Sequence, residues 1–185
     1  MYDSATGKLQ VLKYASKGDG KVDTWSYMDG THILRIEIDQ DGDGKIDRWE
    51  YYDAGGKLEK VGFSRAHDGN VDAWGYPAAD GSIARIEMSA PQGGRVARVE
   101  HYEHHELVRV EEDSDGDGKT DRWESYDGQR LSMLALDTRH GGRPDRRIIY
   151  GADGKVRIEV DGTGGGHFTP LDETRSTRSS LNGSP

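Results

Sequence analysis

The sequence predicts an all-β protein made of tandem two-stranded β-hairpins. A column of bulky residues recurs every 24 or 25 residues, which is typical of a repeat architecture. Apolar and polar residues alternate within the repeats, and no window has the 3.6-residue period of a helix. The column consists of Trp25, Trp49, Trp74, Val99, Trp123 and Arg147.

The repeat around Trp49 shows the predicted elements most clearly. Trp49 and Tyr51 alternate with charged neighbours, which indicates a strand with one buried face. The Asp-Ala-Gly-Gly stretch at 53–56 is a turn signal. Residues 58–63 are predicted to be the returning strand, so each repeat is a hairpin.

The other repeats keep this scheme, with a first strand at the bulky column and a second strand after a turn. An isolated hairpin is marginal in water, so we expect the hairpins to pair edge to edge. The expected product is an elongated twisted antiparallel sheet or an open solenoid, with one apolar stripe as its core. The predicted strand pairs are 25–27 with 33–38, 74–76 with 83–88, 99–102 with 107–110, 123 with 131–136, and 149–150 with 156–160.

The array is predicted to occupy residues 1–161, as a half repeat over 1–14 followed by about six repeats. Residues 162–185 lose the alternation and are rich in Gly, Ser and Thr, so we expect a flexible tail there.

Composition limits the class of protein. Hydrophobic and charged residues each make up 32% of the chain, which favours a thin core. The net charge is −9 and there is no basic stripe, which argues against a nucleic-acid partner. No apolar run predicts a membrane span, and no nucleophile elbow, phosphate loop or paired-carboxylate cleft is apparent. The expectation is therefore a protein that is not an enzyme.

Two stretches, 39–50 and 113–124, have the spacing of a calcium loop. Calcium takes six to eight oxygen ligands, which a short loop supplies through alternating carboxylates around a glycine that turns sharply. The predicted ligands are Asp39, Asp41, Asp43, the main-chain carbonyl of Lys45, Asp47 and Glu50 in the first stretch. In the second stretch they are Asp113, Asp115, Asp117, the carbonyl of Lys119, Asp121 and Glu124.

Other interpretations of these stretches are Asp-Gly turns without metal and, for Glu50 and Glu124, strand residues paired with an arginine. The first is weakened by the mutual repulsion of several carboxylates in one turn. The turns of the other repeats keep fewer carboxylates and are expected to be free of metal, apart from a weak, solvent-completed site at Asp68 and Asp72.

The two stretches resemble the calcium loop shared by EF-hands, dockerins, thrombospondin type 3 repeats and the FG-GAP repeats of integrin-type propellers. No flanking helices are predicted, so the hairpin-borne versions are the nearer likeness. In those relatives the Asp-x-Asp-x-Asp-Gly-x-x-Asp part carries the ion. The hairpins, with Trp-x-Tyr-Tyr-Asp-x-x-Gly-Lys-Leu from Trp49 to Leu58, resemble MORN-type repeats, which implies an array of paired hairpins.

Two further side-chain groups suggest binding. Tyr52, Tyr102 and Tyr126, with Tyr150, fall one residue off the core face and are expected to form a more exposed aromatic row, and such a row could bind a protein or a glycan. The cluster of His101, His104 and His105 could suggest zinc, but its predicted place in a hairpin turn favours a solvated turn.

The sequence thus predicts a calcium-stabilised β-repeat protein of the bacterial cell surface or exterior, secreted or lipid-anchored, with a structural or adhesive role. Millimolar external calcium would keep such sites filled. Its expected partners are calcium and either itself, in a filament or surface layer, or another surface protein or glycan. The alternative is a binding module, an antitoxin-like or receptor-like array.

Overall fold

The computed structural model describes residues 1–90 and 94–171, and in this part of the chain it contains strands and no helix. Nothing in the described part could therefore cross a membrane as a helix. The prediction of an all-β protein made of tandem hairpins is confirmed. The strands are β1 (Val11–Tyr14), β2 (Thr24–Asp29), β3 (His32–Ile38), β4 (Arg48–Tyr52), β5 (Leu58–Phe63), β6 (Ala73–Pro77), β7 (Ile83–Ser89), β8 (Val96–Glu103), β9 (Glu106–Glu112), β10 (Arg122–Asp127), β11 (Arg130–Leu136), β12 (Arg146–Tyr150), β13 (Val156–Val160) and β14 (Thr169–Pro170).

The chain divides into two compact units, Met1–Val108 and Arg109–Pro185, with the boundary inside β9. In the first unit, consecutive strands from β1 to β8 pair antiparallel. In the second unit the same holds from β9 to β14. Each unit is therefore an open meander whose strand order follows the sequence.

Short turns and longer loops alternate along this meander. The short turns close the hairpins and the longer loops join one hairpin to the next, so within each unit the longer loops lie at the same end of the strands. Five of these loops have the same length, at 15–23, 39–47, 64–72, 113–121 and 137–145. We count their residues from position 1 to position 9.

Apolar residues lie on both faces of the sheet, so the expected single stripe is wrong. Trp25, Glu37, Trp49, Gly62 and Trp74 are direct neighbours across strands and share one face. The opposite face carries another cross-strand row. That second row contains Ile36, Glu50, Val61, Gly75 and Ile86.

The apolar core of the sheet is small because these rows mix apolar and charged side chains. Among the described residues the buried apolar side chains are Trp49, Val61, Ala73, Val110 and Ala135. Gly62 lies between Trp49 and Trp74, and a Cβ there would lie 3.2 Å from both the Trp74 ring and Val71. A glycine at this point in β5 therefore leaves room for the tryptophan ring.

The start of the predicted tail contains local structure. The backbone N–H groups of Thr163, Gly164 and Gly166 donate to the Asp161 carboxylate, and β14 pairs with β13. The rest of the predicted tail, 172–185, lies outside the described residues.

Candidate metal site

The aspartate at position 9 closes each of the five loops. Asp47 accepts the backbone N–H groups of Gln40 (2.7 Å) and Asp41 (3.3 Å), and Asp121 accepts those of Ser114 and Asp115. Asp23, Asp72 and Asp145 also accept hydrogen bonds from the start of their loops, although these loops lack the calcium spacing. An aspartate at position 9 is thus explained by loop closure alone.

The residue at position 1 turns its side chain into the loop. In the two acidic loops, 39–47 and 113–121, Asp39 accepts the N–H groups of Gly42 (2.7 Å) and Gly44 (2.9 Å), and Asp113 makes the equivalent pair. In two of the three other loops Ser64 and Asp137 accept the N–H group at position 6 in the same way, whereas position 1 of the loop 15–23 is Ala15. Position 1 therefore also has a structural role that needs no ion.

Successive loops are joined through their backbones. The N–H group at position 1 donates to the carbonyl at position 9 of the preceding loop, as from Ser64 to Asp47 (2.8 Å) and from Asp137 to Asp121 (2.9 Å). Each acidic loop is thus held directly against the loop that follows it within its own unit.

An aspartate at position 3 distinguishes the acidic loops from the others, whereas position 5 is also an aspartate in the loops 15–23 and 64–72. Asp41 and Asp43 in the first loop, and Asp115 and Asp117 in the second, each accept one backbone N–H group two residues later. These hydrogen bonds use only one oxygen of each carboxylate. The ligand atoms of Asp39, Asp41 and Asp43 lie within 4.8 Å of one another, as do those of Asp113, Asp115 and Asp121.

The predicted carbonyl ligands, Lys45 and Lys119, lie at position 7. Their N–H groups donate to Asp43 (2.8 Å) and Asp117 (2.7 Å). Their ammonium groups donate to the main-chain carbonyl of a histidine in the next loop, His67 (3.1 Å) or His140 (3.3 Å).

These two histidines are members of the site that the sequence analysis did not identify. The His67 Nδ1 atom lies 3.2 Å from Asp47 Oδ1 and 3.4 Å from Asp41 Oδ2, and His140 Nδ1 lies 2.8 Å from Asp115 Oδ2. Both occupy position 4 of the loop after an acidic loop. Both have positive φ angles, of 53° and 55°, at a position that is Gly42 or Gly116 in the acidic loops.

Glu50 and Glu124 lie away from the loops, on strands. Glu50 accepts Tyr52 Oη–H (2.6 Å) and pairs with Arg48 (2.7 Å). Glu124 makes the same contacts with Tyr126 and Arg122. In the described part of the chain, neither glutamate is in a group of three convergent metal-ligand atoms.

The tyrosines of the predicted row are half-buried, and the hydroxyl groups of Tyr52, Tyr102 and Tyr126 each donate to a glutamate on the same strand. Tyr102 donates to Glu100 (2.7 Å), which also accepts from Arg98. Burial, followed by the glutamate hydrogen bond, raises the pKa of Tyr52 and of Tyr102 to about 12. An Arg-Glu-Tyr arrangement of this kind occurs in β4, which follows an acidic loop, and also in β8, which follows a loop without acidic spacing.

The residues that the sequence suggested as weaker metal sites have other structural roles. Asp68 accepts the N–H group of Asn70, and Asp72 closes its loop. His104 and His105 form the turn between β8 and β9, with φ angles of 51° and 67°. Among the described residues they do not belong to a group of three convergent metal-ligand atoms.

No family model matches the chain, and no curated protein matches it.

Proposed function

We propose that the protein binds two calcium ions, one in each acidic loop, and that calcium stabilises a structural β-repeat array. The observation that supports this most strongly is the additional carboxylate at position 3, beside aspartates at positions 1, 5 and 9. Positions 1, 5 and 9 have the same structural duties in loops without acidic spacing. Asp41 and Asp115 have no counterpart in those loops and therefore need a different explanation.

Charge repulsion points in the same direction. Each acidic loop holds four carboxylates, and within residues 1–90 and 94–171 a lysine ion pair reaches just one of these eight, Asp43, with Lys45 at 3.6 Å. Close like charges disfavour one another unless a cation lies between them. Calcium suits this set because it prefers oxygen ligands and tolerates irregular geometry. Solvent can complete the coordination, since Asp41 and Asp43 are exposed at 44% and 39%.

The structural role follows from the position of the loops. Each one connects two hairpins, so an ion there fixes the connection between them. An ion present at 100 times its dissociation constant adds about 2.7 kcal/mol to the free energy of unfolding. For a thin sheet this is a large contribution. Millimolar calcium outside the cell would supply it continuously, so we propose an extracellular, structural or adhesive protein with MORN-like hairpins.

The test is thermal unfolding in millimolar calcium and in chelator, for the wild type and for Asp43→Asn/Asp117→Asn. We expect calcium to raise the melting temperature by about 10 °C or more in the wild type. The variant should lose most of this increase. Equal melting temperatures with calcium and with chelator in the wild type would refute the proposal.

The matched control is Asp19→Asn/Asp68→Asn. Asp19 and Asp68 also lie at position 5 and accept the same type of N–H hydrogen bond, from Lys21 and Asn70. Their loops lack carboxylates at positions 1 and 3, so the control should keep the full calcium effect. A loss in the control equal to that in the test variant would point to disrupted turns instead of a lost ion.

A further inference from the structure

We propose that His67 and His140 each complete a mixed nitrogen–oxygen site for a first-row transition cation such as Zn²⁺ between two consecutive loops. The inference concerns the same loops as the proposed function, but it uses a different set of ligands. In the first unit the set is Asp41, Asp47 and His67. In the second unit it is Asp115, Asp117 and His140.

The distances in the first unit suit a single ion. Zinc bonds to imidazole nitrogen and carboxylate oxygen are about 2.0–2.2 Å, which places neighbouring tetrahedral ligands about 3.3–3.6 Å apart. The His67 Nδ1 atom lies 3.2 Å and 3.4 Å from one oxygen of Asp47 and one of Asp41. All three ligand atoms lie within 4.8 Å of one another, so a small inward shift would let them share an ion.

The second unit repeats the arrangement with one change. His140 again faces the position 3 aspartate, with Nδ1 2.8 Å from Asp115 Oδ2. The other carboxylate is Asp117, from position 5, in place of the position 9 aspartate. The two histidines lie in separate units, yet each belongs to the loop that follows an acidic loop.

The ligand type separates this site from a calcium site. Imidazole nitrogen is a preferred ligand of zinc and related transition metals, whereas calcium takes oxygen. The position 3 aspartate belongs to both sets, because Asp41 also groups with Asp39 and Asp43, and Asp115 with Asp113 and Asp121. The two kinds of ion should therefore compete at each loop. A transition cation would also connect the two consecutive loops, because side chains from both loops would bind it.

The histidines are accessible to a dissolved ion. Their side chains are 64% and 65% exposed, so an ion can enter without opening the sheet. Water can fill the remaining coordination positions, as in open zinc sites.

The experiment compares Zn²⁺ and Ca²⁺ binding by calorimetry in metal-free wild type and in His67→Asn/His140→Asn. Asparagine tolerates a positive φ, so the loops should keep their shape, which circular dichroism checks. We expect two Zn²⁺ ions per wild-type chain, at least tenfold weaker Zn²⁺ binding in the variant, and Ca²⁺ binding within about twofold of wild type. The control His104→Asn/His105→Asn also alters two positive-φ histidines and should bind Zn²⁺ as the wild type does.

A direct readout of the nitrogen ligand is the imidazole region of ¹⁵N NMR spectra during Zn²⁺ titration. We expect the Nδ1 resonances of His67 and His140 to shift, and those of His104 and His105 to stay unchanged. Zn²⁺ affinity that is the same in wild type and in the His67/His140 variant would overturn the inference.

Different results would refute the calcium proposal and the Zn²⁺ proposal. Histidine-dependent Zn²⁺ binding without any Ca²⁺ binding would refute the calcium function and support this site. Ca²⁺ binding with histidine-independent or absent Zn²⁺ binding would refute this site and leave the calcium function intact.

Discussion

The acidic loop 39–47 and the loop 15–23 have the same frame and different chemistry. In both, the aspartate at position 9 accepts N–H groups from the start of the loop, and its own N–H group donates to the strand before it. Only the acidic loop has carboxylates at positions 1, 3 and 5 together. The two loops share aspartates at positions 5 and 9 and differ at positions 1 and 3, so the hydrogen bonds of position 9 account for the common frame and positions 1 and 3 supply the additional carboxylates.

The largest effect expected of a single substitution in chelator comes from removing a position 9 aspartate in a loop without acidic spacing. Asp23 is buried and accepts hydrogen bonds from Ser16, Lys17 and Thr24. Asp23→Ala should lower the melting temperature by roughly 5–10 °C, equally in calcium and in chelator, because several donors lose their acceptor.

The control for that change is Asp19→Ala, which removes an exposed carboxylate that accepts one N–H group, from Lys21. We expect a shift of less than about 2 °C, by differential scanning calorimetry. If both variants lost the same stability, loop closure by position 9 would not be the reason for the shared frame.

The next largest expected effect tests whether the two acidic loops bind calcium independently of each other. Asp41→Asn and Asp115→Asn each remove the position 3 carboxylate of one loop. Each variant should bind one calcium ion per chain where the wild type binds two, as counted by calorimetry or by mass spectrometry of the native protein. Each should also lose about half of the calcium-dependent stabilisation. Full loss of both ions in either single variant would show that the two loops do not bind independently.

Strand positions were predictable from the sequence because hairpin strands depend on local alternation and turn residues. The predicted strands 58–63 and 156–160 match β5 and β13. The one-sided core was wrong, because Trp49 and Val61 lie on opposite faces and charged residues such as Glu50 lie among the apolar ones. Alternation shows that a strand has two faces, but it does not show that both are partly covered.

His67 and His140 could not be found by reading each loop separately. Their contacts depend on the backbone bonds that hold position 1 of one loop to position 9 of the preceding loop, and on the cross-strand register below them. A weak signal was present. Each histidine replaces the glycine expected at position 4, and it does so in the loop directly after an acidic loop.

A smaller expected effect is the loss of stability in acid. It tests the role of the aspartates that accept backbone N–H groups within the loops. The N–H group of Ser16 holds the pKa of Asp23 at about 2, against an ordinary 3.8, and that of Gly166 does the same for Asp161. The charged form is favoured in the folded state, so this stability is present above pH 4 and is lost as pH falls toward 2. The measurement is melting temperature against pH in chelator.

In the variant Asp23→Asn/Asp161→Asn, the decline between pH 4 and pH 2 should be shallower than in the wild type. The same change should leave the calcium effect at neutral pH in place. An acid decline of unchanged slope would show that other carboxylates dominate it.

The smallest effect concerns the residue at the twelfth place of the calcium pattern. Glu50 follows an acidic loop and Glu100 does not, yet each accepts from an arginine and a tyrosine on its own strand.

If the role of these glutamates is to pair with neighbours on their own strand, Glu50→Gln should leave calcium stoichiometry at two and change the titration of Tyr52. The pKa of Tyr52 is raised to about 12, so its contribution to stability is present below pH 10 and is lost as pH rises through 12. Absorbance at alkaline pH should show an earlier ionisation step in Glu50→Gln, and Glu100→Gln should act in the same way on Tyr102. Loss of one calcium ion in Glu50→Gln, but not in Glu100→Gln, would instead make Glu50 a ligand and extend the difference between the loops into the strand that follows.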